Sequence, residues 1–269
     1  MDILAALFLG LVQGITEWLP VSSTGHLVLV QGALSISPAE SIIFDLSLHA
    51  ATLFAVVIFL RKELREIASS ILAKKDSLDK AGLRSRSLGW LALLATVPAI
   101  IAGLILKDYV DEIFNVTATA IALLLTGLIL WLAEMPRLKR NRDDINARDA
   151  LIIGIFQAAS IIPGISRSGS TISAGCYLGF NRQLVAVFSF LMSIPIIVAA
   201  IAYAVIDGGT QLVIENSLVQ IIAASIVALV TGLLALKWLF EIIKKSRLRI
   251  FSIYCWALGI IVLAMTAFY

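Results

Sequence analysis

The sequence predicts an all-α polytopic membrane protein: six spanning helices plus two re-entrant helix–loop–helix regions, arranged as an inverted-topology repeat. Three observations carry this. Of the 269 residues, 60% are hydrophobic and only 14% charged, against roughly 25% charged in soluble domains. Six stretches are long and apolar enough to cross a bilayer. Two further apolar regions are each interrupted by a proline and a hydroxyl-rich turn.

The six spans are Ile42–Leu60, Leu88–Leu106, Val116–Ala133, Val185–Ile206, Leu218–Phe240 and Ile250–Phe268, each near the ~20 residues a helix needs to span. The broken regions differ. Ile3–Leu19 is interrupted by Gln13 and Glu17, breaks at Pro20 and is followed by the short run Leu27–Leu34. Ala150–Ile162 breaks at Pro163-Gly164 and is followed by Ile172–Phe180. Irregular backbone at membrane depth survives only when buried in protein or lining a wet cavity.

Loop charge orients the chain. Arg61–Arg86, Arg137–Arg148 and Lys244–Arg249 are rich in Lys and Arg, whereas Ser35–Ser41 and Asp207–Ser217 have none and Lys107–Asn115 has one. The positive-inside rule places the first three in the cytoplasm and the others outside. Walking the chain through these signs, the second broken region must enter and leave on the cytoplasmic side; if it crossed, every later loop would carry the wrong sign. The first shares its plan, since Gly10-Leu11-Val12-Gln13 precedes Pro20 as Gly154-Ile155-Phe156-Gln157 precedes Pro163. By analogy it re-enters from the opposite face. Opposed broken segments meeting near the midplane are the pattern of an inverted repeat, here about residues 1–133 and 150–269 of a single transmembrane domain covering 1–269. The N-terminus has no basic region before its apolar run, so a cleaved signal peptide is not expected. Cys176 and Cys255 have no ligand-like spacing. The basic residues lie in loops without aromatic interleaving, so no nucleic-acid partner is indicated.

Few ionisable residues lie inside the apolar segments: Glu17, His26, Asp45, His49 and Arg167, with Asp2, Lys237 and Glu241 near helix ends where they can snorkel. A cation at such depth costs roughly 2.5–3.5 kcal/mol or more and by default marks function. Arg167 offers a planar fork for two phosphate oxygens. Ser166, Ser168, Ser170 and Thr171 around it can donate hydrogen bonds, and Gly169 allows close backbone approach. At the other break Ser22, Ser23 and Thr24 supply hydroxyls, and His26 can act as acid, base or nucleophile. The helix starts after both turns present amides suited to an anion. Gln13 and Glu17, four apart on one helix face, could hold a hard cation such as Mg2+ or Ca2+ together with substrate phosphates. Asp45 and His49, also four apart, can pair with each other and are secondary candidates. Gly10/Gly14 and Gly175/Gly179 have the G-x-x-x-G spacing of close helix packing, which allows a homodimer without requiring one. Pro98 and Pro195 are expected to kink their helices. Together the two breaks say that a phosphate or phosphate ester is handled within the membrane.

Gln13-Gly14-Ile15-Thr16-Glu17-Trp18-Leu19-Pro20-Val21-Ser22-Ser23-Thr24-Gly25-His26 resembles the (E/Q)-x-x-x-E and P-V-S-S-T-G-H signatures of the undecaprenyl-diphosphate phosphatases of the bacitracin-resistance type. Pro163-Gly164-Ile165-Ser166-Arg167-Ser168-Gly169-Ser170-Thr171 resembles that family's P-G-x-S-R-S-x-x-T signature, and Phe44-Asp45 with His49 a further segment. The resemblance implies a hydrolase of the plasma (inner) membrane that converts undecaprenyl diphosphate to undecaprenyl phosphate and inorganic phosphate. It recycles the lipid carrier of the cell wall, with the site facing the external or periplasmic side and a dependence on Mg2+ or Ca2+. Gln13 stands at the variable first position of the acidic motif, which removes one carboxylate. Ser23 and His26 both fit as nucleophile. In the expected arrangement Ser23 attacks while His26 takes its proton, or His26 attacks directly; Arg167 stabilises the phosphoryl group; and the lipid tail lies between helices. The alternative is a transporter or flippase of the polyprenyl phosphate carrier, which needs a similar anion pocket but no nucleophile. A structural scaffold would tolerate apolar residues at Arg167 and Glu17.

Overall fold

The computed structural model describes residues 1–36, 38–109, 115–135, 142–206, 218–245 and 247–268. The chain is all-α there. Its helices are α1 Ile3–Trp18, α2 Ser23–Ala33, α3 Pro38–Phe59, α4 Arg61–Leu72, α5 Lys80–Leu106, α6 Val116–Ala133, α7 Ala147–Ala159, α8 Arg167–Tyr177, α9 Arg182–Ile206, α10 Leu218–Lys244 and α11 Arg249–Phe268. Of these, α5, α6, α9, α10 and α11 are long and apolar enough to cross a membrane by themselves. The stretch Ile42–Leu60 is helical as far as Phe59 within α3, and the chain turns by 77° at Leu60 into α4, so that only the bent pair together is apolar and long enough to be a sixth candidate. The basic and acidic residues that open the following segment, from Arg61 to Glu66, end the apolar stretch there. The loop Asp207–Ser217, residues 137–141 of Arg137–Arg148, and parts of Ser35–Ser41, Lys107–Asn115 and Lys244–Arg249 lie outside the described residues.

Only 22–50% of the most apolar stretch of each of the five long helices is buried. The rest, including Leu104, Ile226, Leu234, Ile253 and Ile260, is exposed. In water such a surface would drive association; in a bilayer it is the solvated surface.

The four short helices of the two broken regions are held by the long ones. α1 packs along α10, α7 along α5, α10 also along α3, α5 also along α9, and α6 along α11. Two glycines set the closest approaches. A Cβ on Gly10 would lie 2.4 Å from the Ala224 carbonyl oxygen, and one on Gly154 would lie 2.4 Å from that of Ala95. Gly14 continues the first seam, against Ala228 and Thr231. The expected packing role of Gly10/Gly14 is therefore met within one chain. Gly175 packs against Val185, but Gly179 does not extend that seam: at φ 85° it ends α8 in the left-handed conformation that glycine adopts without penalty. Pro98 and Pro195 lie inside continuous helices. Gly154→Ala and Gly10→Ala should each destabilise the detergent-solubilised protein by about 1–3 kcal/mol through overpacking. Gly103→Ala, with nothing within 4 Å, should not; equal melting temperatures for Gly154→Ala and Gly103→Ala would refute this account.

The basic segments gather at one end. Arg84 reaches the Asp143 carbonyl and the Asp144 carboxylate. Arg142 forms a two-pronged pair with Asp149, 2.7 and 3.1 Å, and stacks over Phe180. Glu134 accepts from the Leu248 and Arg249 amides and faces Arg182 at 3.7 Å.

Candidate active site where the two breaks meet

Helices α2 and α8 begin earlier than the apolar runs suggest, at Ser23 and Arg167 instead of Leu27 and Ile172. Their first turns are polar and so invisible to hydropathy, but both are capped by serine. Ser22 Oγ accepts from the Gly25 amide at 3.2 Å, and Ser166 Oγ from the Gly169 amide at 3.0 Å. Ser23, Thr24, Arg167 and Ser168 thus sit in opening helical turns, where backbone amides lack intrahelical acceptors and favour an anion.

The two turns interlock. Ser22 Oγ also accepts from the Gly164 amide at 3.1 Å, joining residues 142 apart. Ser168 Oγ donates to the Leu19 carbonyl at 3.1 Å. Thr126 of α6 donates to the Gly164 carbonyl and accepts from the Ser166 amide, at 2.8 and 3.0 Å. Gly164, at φ 95°, has no room for a side chain: a Cβ would lie 2.3 Å from the Thr119 carbonyl. Ser22 is at φ 69°, a conformation that costs a non-glycine residue on the order of 1–3 kcal/mol and that clusters at functional sites. The Gly25 and Gly164 amides on its hydroxyl hold it there.

Glu17 is the hub. One carboxylate oxygen accepts from Arg167 at 2.5 Å. The other accepts from Ser23 Oγ at 2.6 Å and from Gln13 Nε2 at 3.0 Å. His49 Nδ1 lies 3.4 Å from the same oxygen and 2.9 Å from Gln13 Nε2. Arg167 also stacks over Trp18, 5.2 Å from the ring centre. Its second terminal nitrogen, Nη1, is buried and has no hydrogen-bond partner among the described residues. Beside this network is a cavity of about 240 Å3, whose polar lining is Glu17, Ser22, Ser23, Thr24, His49, Gln157, Ser160, Ser166 and Arg167. Leu46, Ala99, Ile161, Ile165, Ile196, Ile197, Ala200 and Ile201 are its apolar lining.

The structure thus brings together Glu17, Ser22, Ser23, Thr24, His49, Ser166 and Arg167. It does not bring His26 to Ser23. Nδ1 of His26 is 2.7 Å from the Ser22 carbonyl, Nε2 is 2.6 Å from the Tyr254 hydroxyl, and the ring stacks parallel to that of Tyr254. A serine three residues before a histidine in the first turn of a helix cannot direct its hydroxyl to a ring turned toward another helix; Ser23 meets Glu17 instead. Ser168, Gly169, Ser170 and Thr171 are off the cavity wall as well. Gly169 lies against Pro20, and Thr171 bonds Ser189 Oγ at 2.6 Å and the Arg167 carbonyl at 2.8 Å. Ser170 Oγ is buried without a partner among the described residues. Asp45 accepts from the Gln31 amide with both carboxylate oxygens, at 2.8 and 3.0 Å, while His49, one turn on, faces Glu17. Sequence reasoning misses Trp18, Tyr254, Ser160 and the cavity-facing role of Gln157. Of these only Gln157 leaves a signal, the repeated G-x-x-Q of Gly10–Gln13 and Gly154–Gln157.

Comparisons with known proteins agree on one family. Residues 6–261 match the family model described as bacitracin resistance protein BacA. A protein of Alkaliphilus metalliredigens named undecaprenyl-diphosphatase is 40% identical over 270 residues, covering 98% of each chain. Proteins with the same name from Methanobrevibacter smithii and Christiangramia forsetii are 38% and 37% identical, each covering 97% of both chains. A match of that extent, over a structure in which both signature turns build one cavity, places the chain in the bacitracin resistance protein BacA family.

Proposed function

We propose that the chain hydrolyses undecaprenyl diphosphate to undecaprenyl phosphate and inorganic phosphate, in keeping with the name its relatives carry. The observation that carries this reading is the Ser23–Glu17–Arg167 network opening on a cavity lined by both polar and apolar side chains. The diphosphate lies against Ser23 and Arg167, and the polyprenyl tail leaves past Ile196, Ile197 and Ile201 toward the bilayer. None of the relatives named above has a carrier's name, and a carrier would need no hydroxyl held against a carboxylate.

Ser23 Oγ attacks the terminal phosphorus while Glu17 accepts its proton through the 2.6 Å hydrogen bond. The bond from that phosphorus to the bridging oxygen breaks, Glu17 passes the proton to the departing oxygen, and undecaprenyl phosphate leaves. Water then gives a proton to the freed Glu17 carboxylate and attacks the serine phosphate; the Ser23 oxygen leaves, takes that proton back from Glu17, and inorganic phosphate is released. Arg167 Nη1, unpartnered among the described residues, donates to the phosphoryl oxygens as charge develops on them; fixed electrostatics of this kind dominate phosphoryl transfer. What supports Ser23 over His26 as nucleophile is that both nitrogens of His26 are occupied. His26 instead steadies the strained Ser22. Ser166, Thr24 and the opening amides of α2 and α8 line the oxyanion side.

The donor set fits a divalent cation, Mg2+ or Ca2+. Gln13 Oε1 is a buried oxygen without a partner among the described residues, on the residue whose amide holds Glu17. Among the described residues no group of three or more His, Cys, Asp and Glu side chains forms a cage, so Glu17 and Gln13 would share the ion with substrate phosphates, as Mg2+ sites commonly do. When bound, such an ion supplies neutralisation of phosphate charge.

The architecture behind this reading is one transmembrane domain of six spans and two re-entrant segments, its halves 1–133 and 150–269 inverted relative to each other. The paired contacts support it: α1 on α10 matches α7 on α5, Gly10 on Ala224 matches Gly154 on Ala95, and α3 on α10 matches α9 on α5. The cavity residues Leu46, Ala99 and Ile201 lie in the halves of α3, α5 and α9 away from the gathered basic segments. This supports a site on the external face of the plasma membrane.

One experiment tests activity, metal and side. Purified protein in detergent should release phosphate from undecaprenyl diphosphate and lose that activity to a chelator. In right-side-out vesicles an impermeant chelator added outside should suppress it equally. No release in detergent would overturn the hydrolase reading; release indifferent to chelator would overturn the metal.

A further inference from the structure

Gln157 is a polar group that the hydrolytic mechanism leaves unused. It lies in the last turn of α7, is 1% exposed, and has no hydrogen-bond partner at either Nε2 or Oε1 among the described residues. It forms part of the cavity wall with Glu17, Ser23 and Arg167. Its counterpart Gln13 is engaged through Nε2, on Glu17 and close to His49, and leaves only Oε1 unpaired among the described residues. Native interiors rarely leave both ends of a buried amide unpaired.

No described side chain bonds the Gln157 amide. The nearby hydroxyl, Ser160 Oγ, donates back to the main-chain carbonyl of Gln157 at 2.7 Å. The next wall residue of that segment is Ile161. Gly154 packs on Ala95, and one turn further along both helices Gln157 and Ala99 reach the cavity together. Gln157 therefore lines the cavity together with the apolar Ala99 and Ile161. Arg167 Nη1 is the other orphaned donor on this wall among the described residues. Two unmet donors, one charged and one neutral, suit a ligand with two adjacent anionic groups. Ser23 and Arg167 address the phosphate that is transferred. The neutral amide suits the second phosphate, which keeps the tail.

We propose that Gln157 is a substrate-binding residue whose Nε2 donates to an oxygen of the lipid-linked phosphate, so that it holds both the diphosphate substrate and the monophosphate product. This role rests on the hydrolase reading. A hydrogen bond to a charged group of this kind corresponds to roughly a tenfold change in binding.

The test is steady-state kinetics on purified Gln157→Leu with undecaprenyl diphosphate, together with product inhibition and melting temperature. KM should rise about tenfold with kcat changed by less than about threefold, and the melting temperature should stay level or rise because an unpaired buried amide is gone. Inhibition by undecaprenyl phosphate should weaken about as much as KM, while inhibition by inorganic phosphate should not change. A KM within about twofold of wild type would overturn the proposal, as would equal weakening of both inhibitors. If Gln157→Leu does not fold, Gln157→Glu decides: it keeps the shape but sets a carboxylate against phosphate, so its KM must rise, and an unchanged KM rejects the contact. An inactive wild type would sink the hydrolase reading, whereas an active wild type with an indifferent Gln157 sinks this inference alone.

Discussion

Ser23→Ala is expected to lower phosphate release from undecaprenyl diphosphate by about a thousandfold or more, because it removes the attacking oxygen and leaves only positioning and charge stabilisation. The loss should appear in kcat, with KM nearly unchanged, since Arg167 and the helix starts still hold the diphosphate. Folding should survive: Glu17 keeps Arg167 at 2.5 Å and Gln13 at 3.0 Å without the serine. Rapid quenching of the wild type, followed by peptide mapping, should find phosphate on Ser23. Phosphate mapped to His26, or Ser23→Ala with near-normal kcat, would reassign the nucleophile.

Arg167→Lys should cost about a hundredfold or more in kcat/KM, equivalent to roughly 2.7 kcal/mol of transition-state stabilisation. The guanidinium does two jobs at once: one nitrogen holds Glu17 and the other is left for substrate. An ammonium is a single point, so it must choose between them. It also loses the flat stacking on Trp18. The lysine variant is more informative than alanine. Glu17 is buried and Arg167 largely so, with side chains 5% and 14% exposed, and removing one partner of a buried pair destabilises by about 3–5 kcal/mol. Arg167→Ala would thus confound folding with catalysis, while Arg167→Lys keeps the charge. Full-rate hydrolysis by a folded Arg167→Lys protein would remove the guanidinium from the mechanism.

Much of the fold and site is legible in the amino-acid order. The long apolar helices follow from length and composition, and the joining of the two breaks follows from the cost of an unpaired Arg167 and Glu17 in an apolar setting. What sequence leaves open is which way a side chain turns. Ser23 and His26 are close along the chain, but the ring is drawn to Tyr254, 228 residues away, and no local pattern encodes that partner. Hydropathy places the starts of α2 and α8 too late because capping serines and polar first turns lower it while still folding as helix. The hydroxyls after Arg167 have the composition of a substrate ligand set, yet Ser168 and Thr171 hold backbone and neighbouring helices together. At membrane depth a serine is as readily a structural tie as a ligand, and composition cannot separate the two. His49 stands out in an apolar run, but its approach to Glu17 depends on how α3 packs against α1.

The bridge from Ser22 to Gly164 has a consequence for biogenesis. The ribosome delivers Ser23 long before Arg167, and until the later turn arrives the clamp on left-handed Ser22 is incomplete. A nascent chain stalled after its first half therefore holds the Ser23 hydroxyl beside Glu17 but without its guanidinium. The hydrolase stays dormant while it is being threaded into the bilayer and switches on only when the last-made half closes over the first.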